Sequence, residues 1–244
     1  MSDLLQFPEE HSRTARVLGV DSIEKLKRAH VAVFGIGGVG GHLAEALARA
    51  GVGEISLFDK DDVSLSNINR QVVALHSTVG RAKVDVMAER IRDINPSCIV
   101  HAHQMFYLPE TADAVDLSAY DYIADAIDNM SAKIELIVRA KALNIPIICA
   151  MGAGNKVHPE RFMVCDIYKT TTDPLARILR KELKARGIQH LKVVYSDEVP
   201  LPMRPETFAE GERTSPGSLA FVPGVMGMVM AGEIVREIVG ISET

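Results

Sequence analysis

The sequence predicts an α/β protein with a Rossmann-like, doubly wound and mostly parallel sheet, helices on both faces and a C-terminal extension. Strand and helix patterns alternate through the first 150 residues, which is typical of parallel strands joined by helices. Glycines at G-x-G-x-x-G spacing follow the first apolar run, residues 31–34, as in dinucleotide-binding folds. A chain of 244 residues with 47% hydrophobic residues can bury the core that such a sheet requires.

The predicted elements of the first part follow in β–α order. An arm, residues 1–20, and a short amphipathic helix, residues 23–29, precede the first strand. The predicted strands are residues 31–34, 54–58, 99–102, 122–125 and 146–150, and the helices between them are residues 39–49, 83–94 and 131–143.

The second part continues with a strand at residues 161–167 and a helix that starts at Asp173-Pro174. Asp caps helix N-termini and Pro fits the first turn, while Gly187 ends the helix after residue 186. Residues 203–217 are polar and rich in Pro and Gly, which predicts a loop. The apolar stretch 219–239 contains a proline and three charged residues, so a packed helix is favoured over a membrane span.

Charge and cysteine content restrict the classes of function. A net charge of −5 argues against indiscriminate nucleic-acid binding but allows a local basic patch. Cys98, Cys149 and Cys165 form no C-x-x-C pair, so neither a structural zinc site nor a disulfide framework is predicted. The N-terminal residues lack the basic-then-apolar order of a signal peptide. These features together predict a cytoplasmic protein without a membrane partner.

The glycine loop predicts a nucleotide site. Glycines let the backbone approach a phosphate beside the first N–H groups of the next helix. Asp59 lies about 20 residues farther on, where a carboxylate can bind ribose hydroxyls. NAD and ATP fit these features equally well. The candidate loop residues are Gly35, Gly37, Gly38 and Gly40.

Three polar residues beyond the loop favour a triphosphate. Asn67, Arg70 and Lys83 suit this role because Arg binds phosphate oxygens bidentately and Lys supplies a point charge. Asp128 follows the strand at residues 122–125 and can hold the magnesium ion of ATP at the mouth of the crevice. Cleavage of ATP between its α- and β-phosphates, which adenylates a carboxylate, needs these groups.

The same residues also have structural explanations. The glycines could serve only chain reversal, Arg70 and Lys83 could be surface cations, and Asp128 could cap the following helix. Asp61 and Asp62 are better explained as turn residues than as ligands. The histidines show no triad or metal spacing, so a Ser/His/Asp hydrolase is not supported.

The helix from Asp173 carries a basic face. Residues 169–192 contain seven basic and two acidic residues, against the sign of the whole chain. A solvated helix face and a site for a polyanion explain this pattern about equally well. The candidate contacts to a nucleic acid are Lys169, Arg177, Arg180, Lys181 and Lys184.

The motifs together resemble the adenylation domain of the ubiquitin-activating-enzyme-like (ThiF/MoeB-type) superfamily. The resemblance covers residues 13–154 and implies ATP and Mg²⁺ as cofactors. It also implies a homodimer in which an arginine of the arm, Arg13 or as second choice Arg16, reaches the partner's ATP. The superfamily often has an Arg five residues after the magnesium-site Asp, where this chain has Lys133. The implied ATP contacts are the glycine loop, Asp59, Asp61, Asn67, Arg70, Lys83, Asp128 and Asn129.

The second half is similar to the branch of tRNA threonylcarbamoyladenosine dehydratases. The motifs that resemble this branch are Lys169-Thr170, Asp173-Pro174-Leu175-Ala176-Arg177, Tyr195-Ser196 and Phe221-Val222-Pro223. The resemblance implies activation of the threonine carboxylate of a modified adenosine beside the anticodon, followed by cyclisation and release of AMP. It implies three parts: an arm and helix (1–30), an ATP-binding adenylation core (31–154) and a tRNA-binding and dimer region (155–244).

Other functions stay open at this point. One is adenylation of the C-terminus of a ubiquitin-like or sulfur-carrier protein, although the C-x-x-C pairs usual in sulfur-carrier activators are absent. Another is a nicotinamide-dependent dehydrogenase or redox sensor, and a third is nucleotide binding without catalysis. A monovalent cation and a sulfurtransferase-type protein partner are further expectations that the sequence leaves undecided.

Overall fold

The structure, a computed structural model, describes residues 9–204 and 216–241. Its centre is a seven-stranded sheet in the order β3-β2-β1-β4-β5-β7-β6. All neighbouring strands are parallel except β6, which is antiparallel to β7. The strands are β1 His30–Phe34, β2 Glu54–Phe58, β3 Ile99–His103, β4 Tyr122–Asp125, β5 Ile147–Ala150, β6 Phe162–Asp166 and β7 Lys192–Ser196.

Helices cover both faces of the sheet, which confirms the predicted α/β class. Residues 31, 33, 55 and 57 pack toward one core together with α3, α4 and α7. Residues 32 and 34 face a second core formed with α5 and α6. The helices are α1 Ser12–Leu18, α2 Val20–Arg28, α3 Gly40–Ala50, α4 Lys83–Ile94, α5 Met130–Ala142, α6 Pro174–Ala185 and α7 Phe221–Val239.

The structure differs from the sequence prediction in three places. The arm predicted at residues 1–20 contains the helix α1, and α2 begins at Val20 instead of residue 23; residues 1–8 lie outside the described part. Strand β7 was not predicted, although it is the element that joins β6 to the parallel sheet. Of the loop predicted at residues 203–217, residues 205–215 lie outside the described part.

The last helix is a core element. Val222, Met226, Met230 and Ile234 on α7 are fully buried. A side chain at Gly227 would place its Cβ 2.4 Å from the carbonyl oxygen of Val39, so the backbones of α3 and α7 are in close contact there. None of the helices in the described ranges combines the length and the apolar character that crossing a bilayer requires.

A buried ion pair joins β4, β5 and α5. The Nζ atom of Lys133 lies 2.7 Å from Oδ2 of Asp125 and 3.1 Å from the carbonyl oxygen of Ala150, and both charged side chains are fully buried. The other oxygen of Asp125 accepts a hydrogen bond from the backbone N–H of Ile127 at 3.0 Å. The pair therefore fixes the turn between β4 and α5.

Removal of the cation alone should destabilise this fold. Lys133→Met leaves the Asp125 carboxylate buried without a counter-charge, and we expect a loss of about 3–5 kcal/mol in the free energy of unfolding. Urea denaturation measures this loss. Lys141→Met, on the same helix but partly exposed, is the matched control and should stay within about 0.5 kcal/mol of the wild type. Equal stabilities of the two variants would contradict the assignment.

Candidate active site

A cavity of about 710 Å³ opens at the carboxyl ends of the parallel strands. Its wall contains the residues that directly follow β1, β2, β4 and β5, including Gly35, Asp59, Ala126 and Met151. The strand order reverses between β1 and β4, and ligands of open α/β sheets bind in the crevice at this point. The volume lies within the range of pockets that hold small molecules and cofactors.

The glycines of the loop have separate roles. Gly35 has φ +90°, and a Cβ there would lie 2.6 Å from the carbonyl oxygen of Ala126. A Cβ at Gly40 would lie 1.8 Å from the carbonyl oxygen of Gly35, so chain packing alone requires these two glycines. Gly37 and Gly38 line the cavity, and a Cβ at Gly37 would meet no atom closer than 3.9 Å. Chain reversal therefore explains Gly35 and Gly40 but not Gly37.

Asp59 ties the glycine loop to the end of β2. Its Oδ2 accepts the backbone N–H of Ile36 at 2.7 Å, and its Oδ1 accepts that of Asp61 at 2.8 Å. A carboxylate has about four acceptor positions, so it retains capacity for the hydroxyl groups of a ligand. Asp59 lies in the cavity wall, as the sequence predicts.

Lys83 is a buried cation in the same wall. Its Nζ atom lies 3.0 Å from Oδ2 of Asp61 and 3.9 Å from Oδ1 of Asp59. Asp61 is half-exposed, so the ammonium group can exchange this partner for a ligand oxygen with little rearrangement. Because Lys83 is buried, the alternative prediction that it is a surface cation is wrong.

Arg70 carries a positive charge that no ion pair to a described carboxylate neutralises. Its Nη1 atom donates to the carbonyl oxygen of Ser66 at 3.0 Å and to Oδ1 of Asn69 at 2.9 Å. Asn67 shapes the same turn, because its Oδ1 accepts the backbone N–H of Ser64 at 3.1 Å. Both Arg70 and Asn67 line the cavity, so the loop presents a cation to whatever ligand binds there.

Asp128 and Asn129 have different roles: Asp128 lines the cavity, whereas Asn129 caps a helix. Asn129 caps α5, because its Oδ1 accepts the backbone N–H of Ala132 at 3.0 Å, and it is not among the residues that line the cavity. Asp128 lines the cavity and is exposed. Because Asn129 supplies the side-chain cap, the Asp128 carboxylate is available to a ligand or a metal ion.

Two positions implied by the resemblance do not face this cavity. Lys133 points into the core, where Asp125 binds it. Arg13 and Arg16 are exposed on α1 and do not line the cavity of their own chain.

Three buried polar residues of the cavity wall were not predicted for the site from the sequence. Lys156 is buried, with its Nζ atom 3.3 Å from both Oδ2 of Asp173 and the carbonyl oxygen of Ser196. Asp173 also caps α6 as predicted, through a 3.0 Å bond from the backbone N–H of Ala176. Gln71 is buried, and its Oε1 has no hydrogen-bond partner in the described part of the chain. Only their positions in the sequence could have indicated Gln71 and Lys156 as site residues. Gln71 directly follows Arg70, and Lys156 comes shortly after the glycines that follow β5.

The helix α6 starts at the cavity, since Asp173, Pro174 and Leu175 line it. Arg177, Lys181 and Lys184 are exposed on this helix, as predicted for its basic face. Among the apolar residues of this helix, Leu179 and Leu183 are buried, whereas Ile178 is exposed.

Hydrogen bonds and ion pairs reduce the free basic charge of this region. Arg180 is partly buried, where it donates to the carbonyl oxygen and the hydroxyl of Thr170. Arg186 pairs with Glu182 at 2.7 Å, and Lys192 pairs with Glu233 and Glu237 of α7. Lys169 is exposed beside the helix. Arg180 and four exposed cations have no described carboxylate partner; the four exposed ones are Lys169, Arg177, Lys181 and Lys184.

The three cysteines are not activated. Burial raises the pKa of Cys98 to about 11, and it raises the pKa of Cys149 and of Cys165 above the usual value of a thiol. The thiolate is the nucleophilic form of cysteine, so none of the three thiols is prepared for covalent catalysis at neutral pH.

Comparison with known proteins agrees with this site. The profile of the ThiF family matches residues 11–244. The chain belongs to the ThiF family. Within this family it is 45% identical, over 94% of both chains, to the tRNA threonylcarbamoyladenosine dehydratase of Bacillus subtilis.

Other ThiF-family proteins match with different strength. The Escherichia coli dehydratase TcdA, solved with AMP and with ATP, superposes with TM-scores of 0.85 and 0.84 at 36% identity and covers at least 93% of both chains. The adenylyltransferase and sulfurtransferase MOCS3-1 of Zea mays is 28% identical, and the match covers 92% of this chain but 42% of the relative. The similarity to these two dehydratases is therefore higher, and it extends over at least 93% of the relative's length as well as of this chain.

Proposed function

We propose that this chain is an ATP-dependent tRNA threonylcarbamoyladenosine dehydratase. The observation that carries this proposal is the 45% identity to a dehydratase along 94% of both chains. The cavity supports it, since Asp59, Asn67, Arg70, Lys83 and Asp128 lie together in one wall. A chain that had lost catalysis would have no need to retain this set of charged groups at one crevice.

The proposed reaction has two steps. An oxygen of the threonine carboxylate attacks the α-phosphorus of ATP, the bond to the bridging oxygen of the β-phosphate breaks, and pyrophosphate leaves. A nucleophilic group of the same threonylcarbamoyl substituent then attacks the acyl-adenylate carbonyl, loses its proton and displaces AMP. The nucleoside becomes cyclic and has lost one water, whose oxygen leaves with AMP.

The residues of the cavity suit the first step. Arg70 and Lys83 can neutralise charge that shifts onto the departing pyrophosphate, and fixed cations in a partly closed site stabilise such charge well. Gly37 leaves room for the phosphates to approach the backbone. Asp128 offers an exposed carboxylate to Mg²⁺, which binds through one or two carboxylates and the phosphates and would withdraw charge from the leaving group.

The second step needs no enzyme nucleophile. The raised pKa values of the three cysteines fit a mechanism in which the substrate itself displaces AMP. The alternative, adenylation of a protein C-terminus, predicts pyrophosphate exchange that depends on a carrier protein and ignores tRNA. The expected monovalent cation and sulfurtransferase-type partner stay predictions from the sequence.

Nucleoside mass spectrometry tests the proposal directly. After incubation with ATP, Mg²⁺ and tRNA that carries threonylcarbamoyladenosine, we expect the modified nucleoside to lose one water. Arg70→Ala should reduce the rate roughly 100- to 1000-fold, because it removes a charge from the reacting phosphates. Arg92→Ala, an exposed cation on α4, is the control and should act as wild type. No loss of water with the wild type would refute the function.

We further propose that the tRNA backbone binds along α6. The helix begins in the cavity wall at Pro174, and its exposed cations Arg177, Lys181 and Lys184 lead away from the cavity. This arrangement would let phosphates contact the helix while the modified nucleoside enters the cavity. Arg180 is a weaker candidate than the sequence indicated, because its guanidinium already binds Thr170.

Charge reversal on α6 tests this surface. Lys181→Glu combined with Lys184→Glu should weaken tRNA binding at least tenfold and lower the salt dependence of the affinity by about one unit of slope per lost phosphate contact. The control pair, Lys27→Glu with Arg92→Glu, makes the same change of net charge on α2 and α4. The rise in melting temperature caused by ATP should be unchanged in both. If the α6 variant and the control pair lost the same tRNA affinity, the basic face of α6 would be a solvated surface and not a tRNA-binding site.

We also propose that Arg13 completes the active site of a second subunit in a homodimer. In support, Arg13 is exposed on α1 and does not line its own cavity. Each cavity would then contain Asp128 of one chain and Arg13 of the other. In a two-fold symmetric dimer each subunit makes the same contribution to its partner, so two such sites form.

Mixed dimers distinguish action in trans from action within one chain. We expect Arg13→Ala and Asp128→Ala to be inactive when pure, because each lacks one charged contact to the nucleotide. Unfolding, mixing and refolding the two variants should restore about a quarter of wild-type activity, since half of the random dimers are mixed and each has one intact site. Arg16→Ala mixed with Asp128→Ala serves as the comparison. Activity absent from every mixture would contradict the shared site.

A further inference from the structure

A second polar cluster lies at the opposite end of the strands that form the active site. His30 on β1, Glu54 on β2 and His101 on β3 point to the same face of the sheet. His30 pairs in register with Glu54, and His101 lies beside Ser56 on the neighbouring strand. None of the three residues lines the active-site cavity. The dehydratase chemistry therefore does not explain why they converge.

The three side chains bring their potential metal-binding atoms close together. Nδ1 of His30 lies 3.5 Å from Oε1 of Glu54, and Nε2 of His101 lies 2.7 Å from the same oxygen. All three ligand atoms lie within 4.8 Å of one another. Ligand atoms about 2.0–2.1 Å from a tetrahedral zinc ion are separated by about 3.3 Å, so small side-chain rotations suffice to surround one ion.

The surroundings of His30 orient it for this role. Its other ring nitrogen, Nε2, lies 2.9 Å from Oγ of Ser56, and the ring packs edge-on against Tyr120. Metal-bound histidines generally hold their second nitrogen in such a bond, which fixes the ring and its tautomer.

We propose that His30, Glu54 and His101 form a binding site for one Zn²⁺ ion. Two imidazoles and one carboxylate are a common ligand set for zinc, and sites with three protein ligands leave the fourth position to water. Glu54 and His101 are partly exposed, at 34% and 44% of their side-chain surface, so an ion can enter from solvent. A bound ion would link β1, β2 and β3 near their amino ends.

Zinc titration tests this site without reference to catalysis. Full-length protein is treated with EDTA, dialysed and then equilibrated with Zn²⁺ in the absence of nucleotide, and bound zinc is measured by mass spectrometry of the metal. We expect one Zn²⁺ per chain and a rise in melting temperature on binding, because the ion binds only the folded arrangement.

Two substitutions identify the ligands. Glu54→Gln and His101→Ala should each reduce zinc affinity at least tenfold, since even residues outside the first ring of ligands change affinity by about 10- to 100-fold. Glu54→Gln preserves the shape of the side chain, and circular dichroism checks that β2 and β3 are intact. His158→Ala is the matched control: His158 also lies 2.9 Å from a carboxylate, Glu160, but no third metal-binding group completes that pair in the described part.

Three results would overturn the proposal. The first is no zinc binding by the wild type, and the second is binding that survives both substitutions. The third is X-ray absorption that shows sulfur ligands, which would move the ion to the cysteines. Nitrogen and oxygen ligands only, together with unchanged binding in His158→Ala, are the expected outcome.

Discussion

The carboxylate of Asp59 is the contact on which the nucleotide half of the cavity depends. It accepts one backbone hydrogen bond from the glycine loop at Ile36 and one from the segment that follows β2 at Asp61. Lys83 lies close enough to stabilise its negative charge. One side chain thus joins the carboxyl ends of β1 and β2, and it sets the position of a glycine loop that could otherwise adopt many conformations.

A second carboxylate, that of Asp173, joins the segments that form the other half of the cavity. Asp173 binds the backbone of Gly152 after β5, the ammonium group of Lys156, and the first turn of α6. The pair with Lys156 is buried, so its charges must compensate each other. Through this one residue the start of the basic helix is fixed to the cavity wall. The proposed tRNA surface and the proposed adenylation site are therefore parts of one rigid arrangement.

The sequence was sufficient where local patterns decide the structure. Strand β2 and the helix α4 begin and end as their apolar patterns predict, and Asp173 caps α6 as its type suggests. Strand β7 was not predicted, although Gly187 and Ser196-Asp197 flank its apolar run, because its place in the sheet depends on pairing with β5 and β6. Long-range pairing of this kind has no local signature.

The sequence also does not show whether a charged side chain is buried or exposed. Lys133 stands where the superfamily often has an Arg, and the sequence does not show that Asp125, eight residues earlier, binds it in the core. Asp128 and Asn129 are both good helix caps, and only the structure shows that Asn129 performs this role. Gly35 and Asp59 were predicted for the site and line the cavity directly after β1 and β2, because parallel strands bring their carboxyl ends to one edge.

An acidic chain can still offer a basic surface to a polyanion when its unpaired cations lie together on one face. Lysines 83, 133, 156 and 192 are each neutralised by a carboxylate, so they contribute little field beyond their own surroundings. Arg70 and the exposed cations of α6 have no such described partner. Their field is therefore not cancelled locally, and it extends from the cavity mouth along one helix. The net charge of −5 describes the whole chain, whereas an approaching polyanion would respond to this one face.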